Sequence, residues 1–522
     1  MGTKHMTEIV SIHLLKQGKT LYADSGQSLL ESLMHHGIIL RSDCGGKGRC
    51  GKCKVDILNG DGRFETVDSC TYTVERDSVI QIPESSILPL FIMDKARLSF
   101  PDSFKHRFTD AGAGPVYGVA VDLGTTTMAV YLCDILKGEA VSSIALKNPQ
   151  ALHGADVMSR ITAVAEDEKN LEKLQRLTVQ SIEWGIQKLL KALKGAPASI
   201  SKMVVVGNPA MIHIITGTDP KSIGIAPYQP AFHEARCFDS QDLQFNMKGF
   251  KVYTLPNISG FLGGDILAAA QAADMESQPD GTLLIDLGTN GELMLKHKNS
   301  LHATSCATGP AFEGATLSCG IQATTGAINA IEIDDSEHVT GVFLVNSSGA
   351  SVAKPSGICG AGVINAVAQF CRKKIIRPDG AFRSGQDKFI LVPENSESGQ
   401  SCIHISQKDI RSVQLGKSAL ITGITFLMKR AGISKLEKLI IAGAFGAYLN
   451  TSDLKRLGMI PDMDDDKIDI AGNLAGSGAV MALCDERYIH KTTHMSAEIE
   501  TVDLACDTQF QEAFINNLSF PA

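Results

Sequence analysis

In two distant stretches of the chain a near-continuous apolar run ends in an aspartate and a polar turn, and the pattern that follows has the same frame each time. Val116-Tyr-Gly-Val-Ala-Val-Asp122 reads as a buried strand, a glycine–threonine turn follows, and the stretches from Thr127 to Cys133 and from Ala140 to Leu146 complete a meander. Thr282-Leu-Leu-Ile-Asp286, a second turn ending at Gly291, and the stretches from Glu292 to His297 and from Leu301 to Ala307 repeat that order. Asp122-Leu-Gly-Thr-Thr-Thr127 and Asp286-Leu-Gly-Thr-Asn-Gly291 are thus one turn written twice, and two copies of one module predict a cleft between them.

The N-terminal region has a different grammar. The stretch from Glu8 to Leu15 alternates, Ser28 to His36 carries a helical stripe, and Cys53-Lys-Val-Asp-Ile-Leu58 and Val79-Ile-Gln-Ile-Pro83 are strand-like. Among them lies Cys44-Gly-Gly-Lys-Gly-Arg-Cys50-Gly-Lys-Cys53, with Cys70 the only other cysteine of this region. Three thiolates amid glycines, whose backbone wraps closely and aims N–H groups at sulfur, are close to the plant-type ferredoxin spacing. A zinc site favours paired knuckles instead. The reading is a β-grasp module holding a [2Fe–2S] cluster on Cys44, Cys50, Cys53 and Cys70. The later cysteines lack such pairing and read as small core hydrophobes.

The expected division is a [2Fe–2S] ferredoxin-like domain at 6–86, a linker at 87–115 that lets it swing, the first part of an ATPase at 116–202 and its C-terminal part at 203–522. Residues 1–5 are left out of the fold. The fold class is α+β multidomain, with duplicated α/β units after the ferredoxin whose doubled turn resembles that of the actin-like (RNase H-like) fold. With 522 residues, 44% of them apolar, several cores can be buried, and a net charge of −8 argues against nucleic acid as a partner. No long apolar run supports a membrane span, and thirteen cysteines, an odd number, with a cluster that needs thiolates imply a reducing cytoplasm. The acidic run from Asp462 to Asp466 reads as a solvated loop, and Asp156 and Arg160, one helical turn apart, as an ion pair on a helix face.

The chemistry follows from the turns. A tight Gly-Thr turn presents N–H and hydroxyl donors to phosphate oxygens, and the strand-end aspartate can hold Mg²⁺ through water. Gly124, Thr125, Thr126 and Thr127 with Asp122, and Gly288, Thr289, Asn290 and Gly291 with Asp286, would clamp ATP from both sides. The pair resembles the phosphate motifs of the sugar kinase, heat-shock protein and actin superfamily. That resemblance implies a connecting motif at Gly357-Ile-Cys-Gly-Ala-Gly362, centred on Gly360, and an adenosine-contacting turn at Gly443, Ala444, Phe445 and Gly446. Gly472-Asn-Leu-Ala-Gly-Ser-Gly478 would complete the base pocket. Asp265, at the start of an alanine-rich helix, is both an N-cap candidate and a candidate base toward the attacking oxygen, with Glu292 behind it.

Over nearly its full length the chain resembles a narrower family, the reductive activators of corrinoid proteins. The telling residues are the cysteine loop, both phosphate turns, Asn148-Pro-Gln150, Gly154-x-Asp156-Val-x-Ser-Arg160 and Gly207-Asn-Pro-Ala210. The resemblance implies ATP-dependent transfer of one electron from the cluster to cobalt(II), restoring cobalt(I) in a methyltransferase system. It implies a corrinoid protein as partner and a low-potential electron donor, and leaves a homodimer open. Two other classes stay in view: a small-molecule kinase with a ferredoxin appendage, and an actin-like binding protein without useful turnover.

Overall fold

The computed structural model describes residues 8–36, 38, 40, 48, 51–87, 98–105, 108, 115–154, 156–193, 199–314, 316–345, 354–396, 399–443, 448–504 and 507–521. The first domain is built from β1 (Ile9–Leu14), β2 (Lys19–Asp24), α1 (Leu29–His35), β3 (Lys54–Leu58), β4 (Phe64–Asp68) and β5 (Ser78–Gln81). They form a five-stranded sheet of order β2-β1-β5-β3-β4, with β1 and β5 parallel. The helix starts where Ser28 accepts a hydrogen bond from the Glu31 amide, and Leu29, Leu30 and Leu33 bury its apolar face on the sheet. This core extends outward to Leu177 and Leu152 of the next domain, and Glu31 lies 3.9 Å from Lys173. The ferredoxin module therefore rests on its neighbour here, where a swinging tether was expected.

The expected linker also has an anchored half. In α2 (Asp102–Lys105) Phe104 is fully buried, packed with Phe100, Phe108 and Tyr488, and the Ser99 amide donates to the Ser477 hydroxyl. Aromatic area of this size holds a segment in place.

The next unit contains β6 (Tyr117–Leu123), β7 (Thr127–Asp134), β8 (Glu139–Lys147), α3 (Val157–Glu166), α4 (Lys169–Ala192), β9 (Lys202–Gly207), α5 (Pro209–Ile215), β10 (Cys237–Asp239) and β11 (Lys251–Thr254). Its sheet order is β10-β11-β9-β6-β7-β8, an antiparallel meander with β9 added parallel to β6. The sheet runs on past residue 202, so the expected boundary at 202/203 would cut it. Parallel pairing of β9 with β6 is non-local, and the turn signal Gly195-Ala-Pro-Ala-Ser199 ahead of it does not say which strand β9 joins.

After α6 (Gly264–Ala272) the second sheet begins. Its elements are β12 (Thr282–Leu287), β13 (Gly291–His297), β14 (Ser300–Cys306), β15 (Ala327–Ile333), β16 (Val339–Leu344), β17 (Gly357–Ile358), α7 (Gly360–Arg372), β18 (Lys388–Val392), β19 (Ile403–Ser406), α8 (Gln407–Ala431), β20 (Lys438–Ala442), α9 (Thr451–Leu457), β21 (Ile468–Gly472), α10 (Leu474–Cys484), α11 (Arg487–Glu498), β22 (Ile499–Thr501) and α12 (Thr508–Asn516). The main sheet is ordered β21-β20-β12-β13-β14-β22, and β12-β13-β14 repeats the β6-β7-β8 meander. Helices α6 and α10 lie between the two sheets, in one core that takes Ala120, Tyr131 and Val204 from the first and Leu284, Met294 and Ile440 from the second. Both phosphate turns consequently open toward the same space. No helix among the described residues is long and apolar enough to cross a membrane.

Candidate active site

The first turn connects β6 to β7. A side chain at Gly124 would approach the Thr127 carbonyl to 2.6 Å, so only glycine closes this turn. The turn is held from behind by three polar side chains. Asn148 donates to the Gly124 carbonyl at 2.8 Å, Asn208 to the Thr125 hydroxyl at 3.0 Å, and Arg160 to the Thr125 carbonyl at 2.6 Å. Arg160 is wholly buried, and its other donors meet the Gly154 carbonyl and the Gln150 side chain, both at 3.0 Å. Burial lowers its pKa to about 10. The expected surface ion pair with Asp156 is thus not what forms, because Asp156 instead caps α3 through the Ser159 amide.

The second turn connects β12 to β13 and is backed differently. The Thr308 hydroxyl donates to the Gly288 and Thr289 carbonyls at 3.2 Å, and the Thr289 hydroxyl donates to the carboxylate of Glu313. The two turns meet, with 2.9 Å between the hydroxyls of Thr126 and Thr289.

Around them the structure gathers Asp122, Asp265, Asp286, Glu292 and Glu313, with Gly124, Thr125, Thr127, Gly288, Asn290 and Gly443 also lining the cleft. Burial raises every one of these carboxyls. Asp122 is pushed to about 6, partly offset by Asn473, which donates to it at 2.8 Å. Asp265 is pushed to about 7, pulled back by backbone amides of the first turn of α6, where it stands beyond the N-cap residue Gly263. Asp286 is pushed to about 8, with the charges of Asp122 and Asp265 adding to burial. Glu292 on β13 is raised well above the usual range by burial, with the charges of Asp265 and Asp286 adding to it. Glu313 is raised by burial against the opposing pull of the Thr289 and Thr126 hydroxyls and Arg160.

Five carboxyls with their cation turned away behind a loop form a site short of positive charge, which suits a divalent ion. Among the described residues no three acidic, histidine or cysteine side chains are grouped closely enough to hold an ion by themselves. An ion here would need phosphate oxygens and water to complete its shell.

The remaining expected residues fall elsewhere or outside the description. Gly360 starts α7 behind the cleft, where a side chain would come within 1.7 Å of the Phe312 carbonyl, so it serves close packing under the Glu313 turn. Ala444, Phe445 and Gly446 lie outside the described residues, as do Cys44 and Cys50. Cys53 is buried and Cys70 half-buried, and neither is in a disulfide. The Ser69 amide donates to the Cys53 carbonyl at 3.0 Å and brings the Cys70 turn against Cys53. The Ser69 hydroxyl is buried with no partner among the described residues, so a donor waits beside Cys70. These features fit thiolate ligation of a cluster.

Sequence reasoning missed Arg160, Asn473 and Glu313 as parts of this site. Arg160 and Asn473 stood inside noted motifs; Glu313 stood in none.

A second space adjoins the first. A cavity of about 640 Å³ runs between the two actin-like units, lined by Met158, Tyr228, Phe261, Pro310 and Val502 and sharing Thr289 and Asn290 with the nucleotide cleft.

Comparison with known proteins agrees with this architecture. Residues 280–522 match the model of the C-terminal domain of RACo, the ASKHA domain, residues 117–278 that of the RACo middle region, and residues 12–79 that of the 2Fe-2S iron-sulfur cluster binding domain. The corrinoid activation enzyme RamQ of Eubacterium limosum is 28% identical, covering 93% of this chain and 94% of its own length. The [Co(II) methylated amine-specific corrinoid protein] reductase of Methanosarcina barkeri is 25% identical over 66% of each chain. Among solved structures, a reductive activator for corrinoid, iron-sulfur protein superposes with a TM-score of 0.73 at 26% identity, covering 98% of both chains. With a ferredoxin domain, a middle region and an actin-like ATPase domain in this order, the chain belongs to the RACo family of reductive activators of corrinoid proteins.

Proposed function

We propose that this chain is an ATP-dependent corrinoid protein reductase, which delivers one electron to cobalt(II) of a partner corrinoid protein and returns it to cobalt(I). The observation that carries the reading is the union, in one chain, of a ferredoxin domain with a two-turn nucleotide cleft, in the arrangement of relatives named for corrinoid activation. A [2Fe–2S] cluster supplies a one-electron carrier working near roughly −400 mV, and Mg²⁺ neutralises phosphate charge.

The chain's own residues do the rest. Cys44, Cys50, Cys53 and Cys70 hold the cluster. Backbone amides of the two turns, from Gly124 to Thr127 and from Gly288 to Gly291, bind the β- and γ-phosphates, while Asp122 and Asp286 would hold the Mg²⁺ that would neutralise phosphate charge. Asn473 keeps the Asp122 carboxylate aimed into the cleft. Gly443, Ala444, Phe445 and Gly446 border the adenosine. Because ATP reaches both units at once, its binding favours one closure of the cleft, and a partner with preference for that closure has its own equilibrium shifted. A low-potential donor re-reduces the protein between turnovers.

A small-molecule kinase would use the same cleft but gives the ferredoxin domain no task. The test is anaerobic. Reduced protein is mixed with a cob(II)alamin-loaded corrinoid protein, with and without MgATP, and the visible spectrum is followed for cobalt(I). Cobalt(I) formed only with MgATP is the expected result; no cobalt(I), with ATP consumed only when a sugar or acid is offered, would establish the kinase instead.

A further inference from the structure

We infer that Glu313 is the catalytic carboxylate that orients and deprotonates the water attacking the γ-phosphate, an inference that rests on ATP being hydrolysed in this cleft. The five carboxyls differ in what they touch. Asp122 and Asp286 end facing strands, and Asp122 is bound by Asn473. Asp265 accepts the Ile266 amide at 2.9 Å and belongs to the first turn of a helix. Glu313 alone among the five accepts a hydrogen bond from a phosphate-turn hydroxyl, that of Thr289, which in turn meets the Thr126 hydroxyl of the other turn at 2.9 Å.

That position is where the end of a triphosphate gripped from both sides must lie. A carboxylate repels phosphate oxygens at contact distance, but it attracts a water placed between itself and the phosphorus. With the Thr289 hydroxyl holding one of its oxygens and the Thr126 hydroxyl holding Thr289, Glu313 is pre-oriented for that water. The water oxygen bonds to phosphorus, the bond from phosphorus to the β,γ-bridging oxygen breaks with its electron pair leaving on ADP, and the water proton passes to Glu313. Inorganic phosphate and ADP are the products.

The local backbone supports a placed residue. Glu313 ends a short 3-10 turn, Pro310–Glu313, bracketed by Gly309 and Gly314 at φ of +81° and +76°. At Gly314 a side chain would come within 2.0 Å of the Ile321 carbonyl. Phe312, fully buried, pins the turn beneath α7.

The experiment compares wild type, Glu313→Gln and Glu313→Asp in the full chain, without a corrinoid partner, measuring steady-state ATPase and the dissociation constant of a fluorescent ATP analogue with Mg²⁺. Glu313→Gln is expected to lower kcat by about 10²–10⁴-fold with the dissociation constant within about threefold of wild type. Glu313→Asp, which withdraws the carboxylate by one methylene, should lose kcat and retain binding. An unchanged kcat in both variants overturns the inference, as does tighter analogue binding with normal hydrolysis, which would make Glu313 a phosphate surrogate. If Glu313→Gln does not fold, Glu313→Asp decides by the same criteria. A wild type that hydrolyses no ATP either alone or with a corrinoid partner would sink the proposed function itself, a result distinguishable from either variant outcome.

Discussion

The two phosphate turns share the sequence Asp-Leu-Gly-Thr and the same strand-turn-strand frame, yet the protein backs them with opposite charges. Behind the first stands a buried guanidinium, with the amides of Asn148 and Asn208 completing the support. Behind the second stand one hydroxyl, that of Thr308, and the carboxylate of Glu313. Duplication has repeated the backbone, since a tight turn between strands dictates Gly and Thr in both places, while the side chains under each turn have diverged. The first turn is built to stay put. The second is built to present an anion, and the cleft has a cationic floor on one side and an acidic one on the other.

The sharpest way to break this comparison is to remove the guanidinium. Arg160→Met leaves the carbonyls of Thr125 and Gly154 and the amide of Gln150 without their donors in a site closed to water. The expected cost is about 3–5 kcal/mol, since each of three buried acceptors left without its donor costs about 1–3 kcal/mol and the loss of the buried charge offsets part of the sum. Thr308→Val, the matched change under the second turn, removes one neutral hydroxyl and should cost about 1 kcal/mol. Denaturant titrations of both variants check the difference; equal losses would mean that the two turns depend on their supports alike.

A smaller effect is expected from the strand-end aspartates, again unequal. Asp286→Asn takes away a carboxylate that no side chain among the described residues hydrogen-bonds, and should lower ATPase kcat by about 10²–10³-fold. Asp122→Asn also disturbs the amide of Asn473, which then faces a second amide. Its kcat should fall by a comparable factor, with the Mg²⁺ concentration for half-maximal rate rising further than for Asp286→Asn. Steady-state assays across a Mg²⁺ series measure both, and identical Mg²⁺ dependences would erase the asymmetry.

Legibility in the sequence followed the range of the interactions. The doubled meander was plain because strand period and Gly-Thr turns are local signals, and the structure places β6 to β8 and β12 to β14 there. The ferredoxin strands that alternate cleanly were located, while β2 and β4 were not, since Lys19–Asp24 and Phe64–Asp68 are short stretches rich in exposed residues. Arg160 was misread for a physical reason: one helical turn from an aspartate is the pattern of a surface ion pair, and only Gln150, Gly154 and Thr125, brought in from other elements, turn it inward. Glu313 had no partner at any regular spacing. Its one trace was the pair of glycines enclosing Pro310–Glu313, and a glycine-bracketed turn is common. Phe104 shows the same limit, because a stretch without period gives no sign that three aromatic rings will close around it.

The smallest effect separates the two aspartates by pH. In the absence of metal and nucleotide, burial lifts Asp122 to about 6 and Asp286 to about 8, from an ordinary value of 3.8. A carboxyl raised in the fold binds a proton that the unfolded chain has released. The stability from this source is therefore full below the unfolded value and is lost as pH rises through the folded values. The stability of the chelated protein should fall from about pH 4 upward and the fall should ease in stages, first near pH 6 where Asp122 has ionised and last near pH 8 where Asp286 has, with Asp265 near 7 between them, by at most about 1.4 kcal/mol per pH unit for each group still titrating. Asn473→Ala removes the hydrogen bond that restrains Asp122, so the first stage should move upward toward the second and the two aspartates become alike. Melting temperatures between pH 5.5 and pH 8.5 in a chelating buffer read both stages, and MgADP should flatten the profile because the cation replaces the protons. A chelated profile that is already flat would mean that positive charge reaches these carboxylates from within the chain, and the contrast between a cation-backed turn and an acid-backed one would lose its electrostatic basis.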